Sequence, residues 1–305
     1  MTINIFNNEP DEYSSKAVEI LKTVGDYYES VSNIPIHILI TRLKHKIDKK
    51  FLAQYPHLQY ILTATTGLDH IDLDECSSRD IHVISLNGEY DFLSSIVATS
   101  EHTIALMLSL LRNIPRAILD VQNSHWSRMQ FKGHELKNKT ICILGMGRLG
   151  TQVAKMASAF QMNIQGFDYK QVSTFNVTKD LTKALTGSDI LSIHLPYNSS
   201  TKKLVGLPEI LCLKPNSYII NTSRGQILDE KAVIESLEKK HLAGVAVDVL
   251  ENEYNLKNNA LWNYANTHSN VIITPHISGC TYESMEATEI FIANKFKALI
   301  NLKTN

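Results

Sequence analysis

The 305-residue chain is short of several things that would commit it to a class early. It holds four cysteines, Cys76, Cys142, Cys212 and Cys280, spread far apart and forming no CxxC pair. That spacing argues against a disulfide framework or a thiolate metal site, and it fits buried free thiols in a reducing, cytoplasmic setting. No excess of either charge sign exists: 30 Lys plus Arg face 31 Asp plus Glu, a formal charge of −1. Without a global basic field, neither nucleic acid nor an anionic membrane is an expected partner. Long apolar runs are scarce too. The stretch from Ile104 to Leu111 carries Ser109 and is read as too short to span a bilayer, and the first residues, Met1 to Phe6, lack the order of a signal peptide. Low-complexity tracts, internal repeats and a Pro/Gly linker are likewise not evident.

What remains is ordinary globular composition, 44% hydrophobic and 20% charged, at a length that suggests two domains of roughly 100–200 residues each. The middle of the chain alternates short β-branched runs with helical patterns. Strand candidates are 140–144, 164–168, 190–193, 218–220, 245–248 and 271–274, and helix candidates are 150–160, 178–185 and 230–240. This rhythm predicts a parallel, doubly wound α/β sheet. The first hundred residues repeat it more weakly at 36–40, 60–63 and 81–84. A helical pattern from Ser100 to Leu119 separates the two stretches, and another from Glu283 to Leu299 closes the chain.

Gly145-Met-Gly147-Arg-Leu-Gly150 follows the first middle strand and opens a helix. Glycines there allow a tight turn, close backbone approach to a pyrophosphate and helix-to-strand packing, while the helix N-terminus offers N–H groups to the phosphates. The next strand candidate ends in Asp168, 18 residues after Gly150. A carboxylate at that place accepts bonds from ribose hydroxyls and repels a 2′-phosphate, which predicts NAD rather than NADP.

Asn221-Thr-Ser-Arg-Gly225, the run Gly244 to Glu253, and Thr274-Pro-His-Ile-Ser-Gly279 then follow in order. Together with the glycine motif, with Thr65 to Asp72 and with Ala98 to Ala105, they resemble the D-isomer-specific 2-hydroxyacid dehydrogenases over nearly the whole chain. The resemblance implies a Rossmann NAD-binding domain, residues 99–280, inserted into a flavodoxin-like substrate domain, residues 1–98 and 281–305. It implies hydride exchange between NAD and a small 2-keto or D-2-hydroxy acid, with no metal.

By the same resemblance, Arg224 binds the substrate carboxylate and polarises its keto oxygen, His276 is the acid/base, and Glu253 is its carboxylate partner. Cofactor contacts fall to Gly145, Gly147, Arg148, Leu149, Gly150, Asp168, Leu195, Pro196, Thr222, Ser223, Asp248, Ser278 and Gly279, with Asp248 bonding the nicotinamide carboxamide. The loop Thr66, Gly67 and Leu68 holds the substrate carboxylate. Arg42 stands where phosphate-binding members carry a basic residue, although a solvated surface arginine fits it equally. Read without the resemblance, His276 could be a turn histidine, Asp248 a strand-end acid, and Glu251 as good a candidate as Glu253.

Two features depart from the family pattern. Glu253 is followed by Tyr254 where proline is usual, and the chain ends at Asn305, without room for the regulatory C-terminal domain of some members. A homodimer is expected, through an apolar helix face that includes Leu106 and Leu110. The competing reading is an NAD(H)-sensing binding protein or corepressor on the same scaffold.

Overall fold

The computed structural model describes residues 3–30, 34–170 and 174–304. Met1, Thr2 and Asn305, on which the readings of the chain's ends touch, lie outside them. The chain divides into two compact units, one of residues 1–96 with 280–305 and one of residues 97–279.

The first unit is built on β1 (Asn4–Asn7), β2 (Asp26–Tyr28), β3 (Ile38–Thr41), β4 (Tyr60–Thr63) and β5 (His82–Ile84), in the order β2-β1-β3-β4-β5. Every pairing is parallel. All residues of β1, β3 and β4 are buried, as a parallel sheet covered on both faces requires. One face packs on Leu21, Leu93, Ile292 and Phe296, the other on Leu52, Leu58, Ile71 and Cys76. The order is the flavodoxin-like one.

The second unit holds β6 (Thr140–Leu144), β7 (Asn163–Phe167), β8 (Asn176–Thr178), β9 (Ile190–Ile193), β10 (Ser217–Asn221), β11 (Leu242–Val247) and β12 (Val271–Ile273). The sheet runs β12-β11-β10-β9-β6-β7-β8 and is again wholly parallel. Strand order reverses at β6, where β9 lies on one side and β7 on the other. In doubly wound sheets this reversal opens a crevice beyond the strands' carboxyl ends.

Three sequence expectations are corrected. Ser100 to Leu119 is not one helix but two, Ala98–Leu111 and Ile114–Gln122, broken at Asn113 in the left-handed region (φ 54°). Pro115 cannot donate to Leu111, whose carbonyl accepts the His134 N–H instead. Apolar length is not lacking either, since Tyr90–Leu111 is long and apolar enough by composition to cross a membrane. It is nonetheless broken after Leu93, and its main piece, Ala98–Leu111, is 14 residues or about 21 Å long with eight residues buried. Finally, the four free thiols are not all buried: Cys76 and Cys142 are, Cys212 is half-buried and Cys280 is exposed. Burial pushes Cys76 up to about 11 and Cys142 up to about 12, which keeps both inert.

Candidate active site

The candidate residues of the second unit line up on one edge of its sheet. Gly145, Asp168, Leu195, Thr222 and Asp248 each follow the carboxyl end of a strand, and Ser278 and Gly279 come shortly after β12.

The turn after β6 is shaped for a close-lying group. Gly145 sits at φ +90°, and a Cβ there would come within 2.7 Å of the His194 carbonyl oxygen, so only glycine fits. Gly147 caps the helix Arg148–Ala159 with no side chain on its first N–H groups, and a Cβ on it would meet nothing within 4 Å. Gly150 closes the turn against the Gly145 backbone. The Asp168 carboxylate accepts the Met146 N–H at 2.8 Å and the Lys170 N–H at 2.9 Å, which fixes it beside the turn with acceptor capacity to spare. Arg148 is half-buried, and desolvation pulls its guanidinium below the usual arginine range. An open cradle of N–H groups, a desolvated guanidinium and a strand-end carboxylate fit a dinucleotide.

Three segments pack together around Glu253 and His276. Asn221 shapes the first: its side chain accepts the Ser223 N–H and Oγ–H and donates to the Arg224 carbonyl, so Arg224 projects from a bonded turn. Its guanidinium donates to the Ser223 carbonyl at 2.7 Å. Thr222 meets Thr103 of the helix Ala98–Leu111 at 2.8 Å. Gly225 then lies flat on the second segment, the acidic loop, since a Cβ on it would be 1.9 Å from the Leu250 carbonyl carbon. Within that loop the two candidate acids part company. Glu251 faces Lys203 at 3.7 Å, whereas Glu253 Oε2 lies 2.8 Å from His276 Nδ1.

His276, in the third segment, has a left-handed backbone (φ 54°), which costs a non-glycine residue about 1–2 kcal/mol. Asp248 holds it there. The His276 N–H donates to the Asp248 carbonyl at 2.9 Å, and the Asp248 carboxylate accepts the N–H groups of Ile277 (2.9 Å) and Ser278 (2.7 Å) and the Thr274 hydroxyl. His102 Nε2 lies 3.5 Å from the same carboxylate and 3.1 Å from Thr274 Oγ1. Burial at 1% exposure would raise this carboxyl, but its contacts with His102, Thr274, Ile277 and Ser278 hold it below the usual carboxylate range. The carboxylate expected to meet a cofactor amide also clamps this turn of its own chain.

Sequence reasoning passed over His102, Thr274 and Met146. His102 and Thr274 lie inside the runs Ala98 to Ala105 and Thr274 to Gly279 that carry the resemblance, and that was their signal.

In the first unit, Thr66, Gly67 and Leu68 follow β4. Thr65 ties the loop down by bonding Thr63 and the Gly67 carbonyl, both at 3.0 Å, and leaves Thr66 exposed. Arg42 follows β3 but is no solvated surface arginine. Its side chain is largely buried, ion-pairs with Glu289, donates to the Asp11 carbonyl and lies 5.1 Å from the Tyr13 ring centre. Its charge is matched within its own unit by Glu289.

Comparison with known proteins identifies the family. Residues 104–278 match the family described as D-isomer specific 2-hydroxyacid dehydrogenase, NAD binding domain. A D-3-phosphoglycerate dehydrogenase of Methanocaldococcus jannaschii is 31% identical over 95% of this chain, and the chain spans only 56% of that relative's length. A glyoxylate reductase of Thermococcus litoralis is 32% identical over 86% of this chain and 80% of its own. Among solved structures, a D-lactate dehydrogenase from Aquifex aeolicus, complexed with NAD and lactic acid, superposes with a TM-score of 0.82 at 28% identity, covering 98% of this chain and 95% of that one. With its matched domain covering more than half of the sequence, the chain belongs to the D-isomer specific 2-hydroxyacid dehydrogenase family.

Proposed function

We propose that the chain is an NAD-dependent oxidoreductase that interconverts a small 2-keto acid and its D-2-hydroxy acid. The observation that carries this reading is the 2.8 Å bond between His276 Nδ1 and Glu253 Oε2 on the edge of a nucleotide-binding sheet. Gly145, Gly147, Gly150, Arg148 and Asp168 would hold NAD, with Leu149, Leu195, Pro196, Thr222, Ser223, Ser278 and Gly279 around it. When bound, the nicotinamide supplies or takes up the hydride.

The protein's residues handle charge and the proton. The Arg224 guanidinium is planar and stays charged, so it can grip the substrate carboxylate and polarise the keto oxygen. Negative charge grows on that oxygen during reduction. With Nδ1–H donated to Glu253, His276 presents Nε2 to deliver the proton there, and in the oxidative direction Nε2 takes it back. Glu253 orients the ring and balances its charge when it is doubly protonated. Thr66, Gly67 and Leu68 offer backbone N–H groups to the substrate carboxylate. Asp248 clamps the histidine turn, and its carboxylate would also meet the nicotinamide carboxamide. We further propose a cytoplasmic homodimer. Leu106 and Leu110, at 4% and 7% exposure, are buried inside their own unit and cannot be its contact face, so that role passes to the helix Ile114–Gln122.

The test is oxidation of NADH with a panel of 2-keto acids: pyruvate, glyoxylate, hydroxypyruvate, phosphohydroxypyruvate and branched analogues. One or more should be reduced, with NADPH a far poorer donor because Asp168 would face its 2′-phosphate. His276→Ala should still bind NADH but lose on the order of 10²–10⁴ in turnover. An inert panel, or an unimpaired His276→Ala, would reject the reading.

A further inference from the structure

The loop that carries Glu253 is held from within by its own turns and by the Leu250 N–H, which donates to Glu253 Oε1 at 3.3 Å. No proline stands between Asp248 and Asn259, and Asn252 and residues 254–258 are exposed. Glu253 must nonetheless keep its carboxylate on His276.

The anchor is Glu230, the first residue of the helix Glu230–Glu238, buried at 5% exposure. A carboxylate so buried is costly unless its oxygens are hydrogen-bonded. Its bonds go to the two ends of the acidic loop. Oε1 accepts the Glu251 N–H at 2.8 Å, and Oε1 and Oε2 accept Asn259 Nδ2 at 2.9 and 2.8 Å. Asn259 cannot turn its amide around, because its Oδ1 caps the helix Ala260–Ala265 by accepting the Trp262 N–H at 2.8 Å. From the other side, Gln226 Nε2 donates to the Glu251 carbonyl at 3.1 Å. The Glu251 residue, two before Glu253, is thus gripped at its N–H by Glu230 and at its C=O by Gln226.

We propose that Glu230 is a positioning residue for proton transfer, acting through the 251–259 loop to seat Glu253 on His276. The proposal rests on the reading of Glu253 as the partner of His276. It identifies what fixes a loop that lacks the proline usual after this glutamate. Glutamine at 230 keeps size and shape but sets an NH2 group where an acceptor is needed. Donor then faces donor at either the Glu251 N–H or Asn259 Nδ2.

Four proteins decide the matter: wild type, Glu253→Gln, Glu230→Gln and the double variant. Each is followed by kcat against pH, by keto-acid KM, by NADH affinity, and by NMR titration of the His276 ring without cofactor. Glu230→Gln should lose about tenfold in kcat, the worth of a hydrogen bond to a charged group. It should move the high-pH limb of reduction and the ring titration to lower pH, as Glu253→Gln does, while KM and NADH affinity stay near wild type. In the Glu253→Gln background it should add almost nothing, because both changes break one arrangement. Asn259→Ser keeps a capping oxygen but removes the Nδ2 donor, and it should reproduce the effect should Glu230→Gln fail to fold. Full multiplicative losses in the double variant overturn the proposal. A limb that moves for Glu253→Gln but not for Glu230→Gln and Asn259→Ser overturns it alone. A limb unmoved by Glu253→Gln rejects the dyad and the proposal together.

Discussion

At the scale of single residues, side-chain chemistry is set by neighbours that a sequence does not display. Glu251 and Glu253 are equivalent as letters, and only the fold sends one toward Lys203 and the other to His276. The motif order made Arg224, Glu253 and His276 legible. The engagement of Arg42 with Glu289 was not legible, since 247 residues separate the partners. Arg224 invites a direct measurement. Arg224→Lys keeps the charge but loses the fork, so keto-acid KM should rise and turnover should fall, with Arg224→Ala worse in both. NADH affinity, read by fluorescence titration, should barely change. A collapse of NADH binding with KM untouched would make Arg224 a cofactor residue instead.

At the scale of elements, β-branched and apolar runs were readable as strands and short polar ones were not. The strands β1, β2 and β8 (NIFN, DYY and NVT) escaped notice because β1 begins and ends in Asn while β2 and β8 are three-residue edges bonded on one side. The turn between β6 and its helix was legible, but what lies under it was not. The His194 carbonyl, past the end of β9, presses on Gly145, while the ring bonds Ser192 through Nε2 at 2.8 Å. Its Nδ1 is sealed from solvent without a partner among the described residues, and burial lowers the ring to about 4. An unfolded histidine titrates near 6.5, so between these values the unfolded chain holds the extra proton. The stabilisation is therefore complete above 6.5 and lost as pH falls toward 4. By linkage the loss at pH 5 is about 2 kcal/mol relative to neutral pH. Urea titrations at pH 7 and pH 5 should show that loss in wild type and a smaller one in His194→Gln. Equal losses in both would mean that the ring is already charged, or already solvated, in the folded protein.

At the scale of the whole molecule, two sheets of one chain obey the same rule, all strands parallel and a reversal of order near the middle of each. That much followed from the strand–helix rhythm, whereas the junction at 96/97 carries neither glycine nor proline, and the one at 279/280 falls at Gly279, inside a stretch read as a site motif. The surface of the second unit supplies the last expectation. The helix Ile114–Gln122 buries none of its residues, yet it presents Ile114, Ile118, Leu119 and Val121. Trp126 at 86% exposure and Met129 at 74% follow closely in sequence. Apolar side chains concentrated in one surface segment are characteristic of contact faces, and a self-complementary patch closes most simply as a two-fold dimer. Light scattering behind size exclusion should give twice the mass of one chain. Ile118→Glu with Trp126→Glu should halve it, because each new carboxylate would be desolvated against its counterpart across the axis. Both side chains are exposed within the unit, so the variant should keep its fold and its NADH affinity. A double variant that stays dimeric would move the contact elsewhere, and a wild type of single-chain mass would remove the dimer altogether.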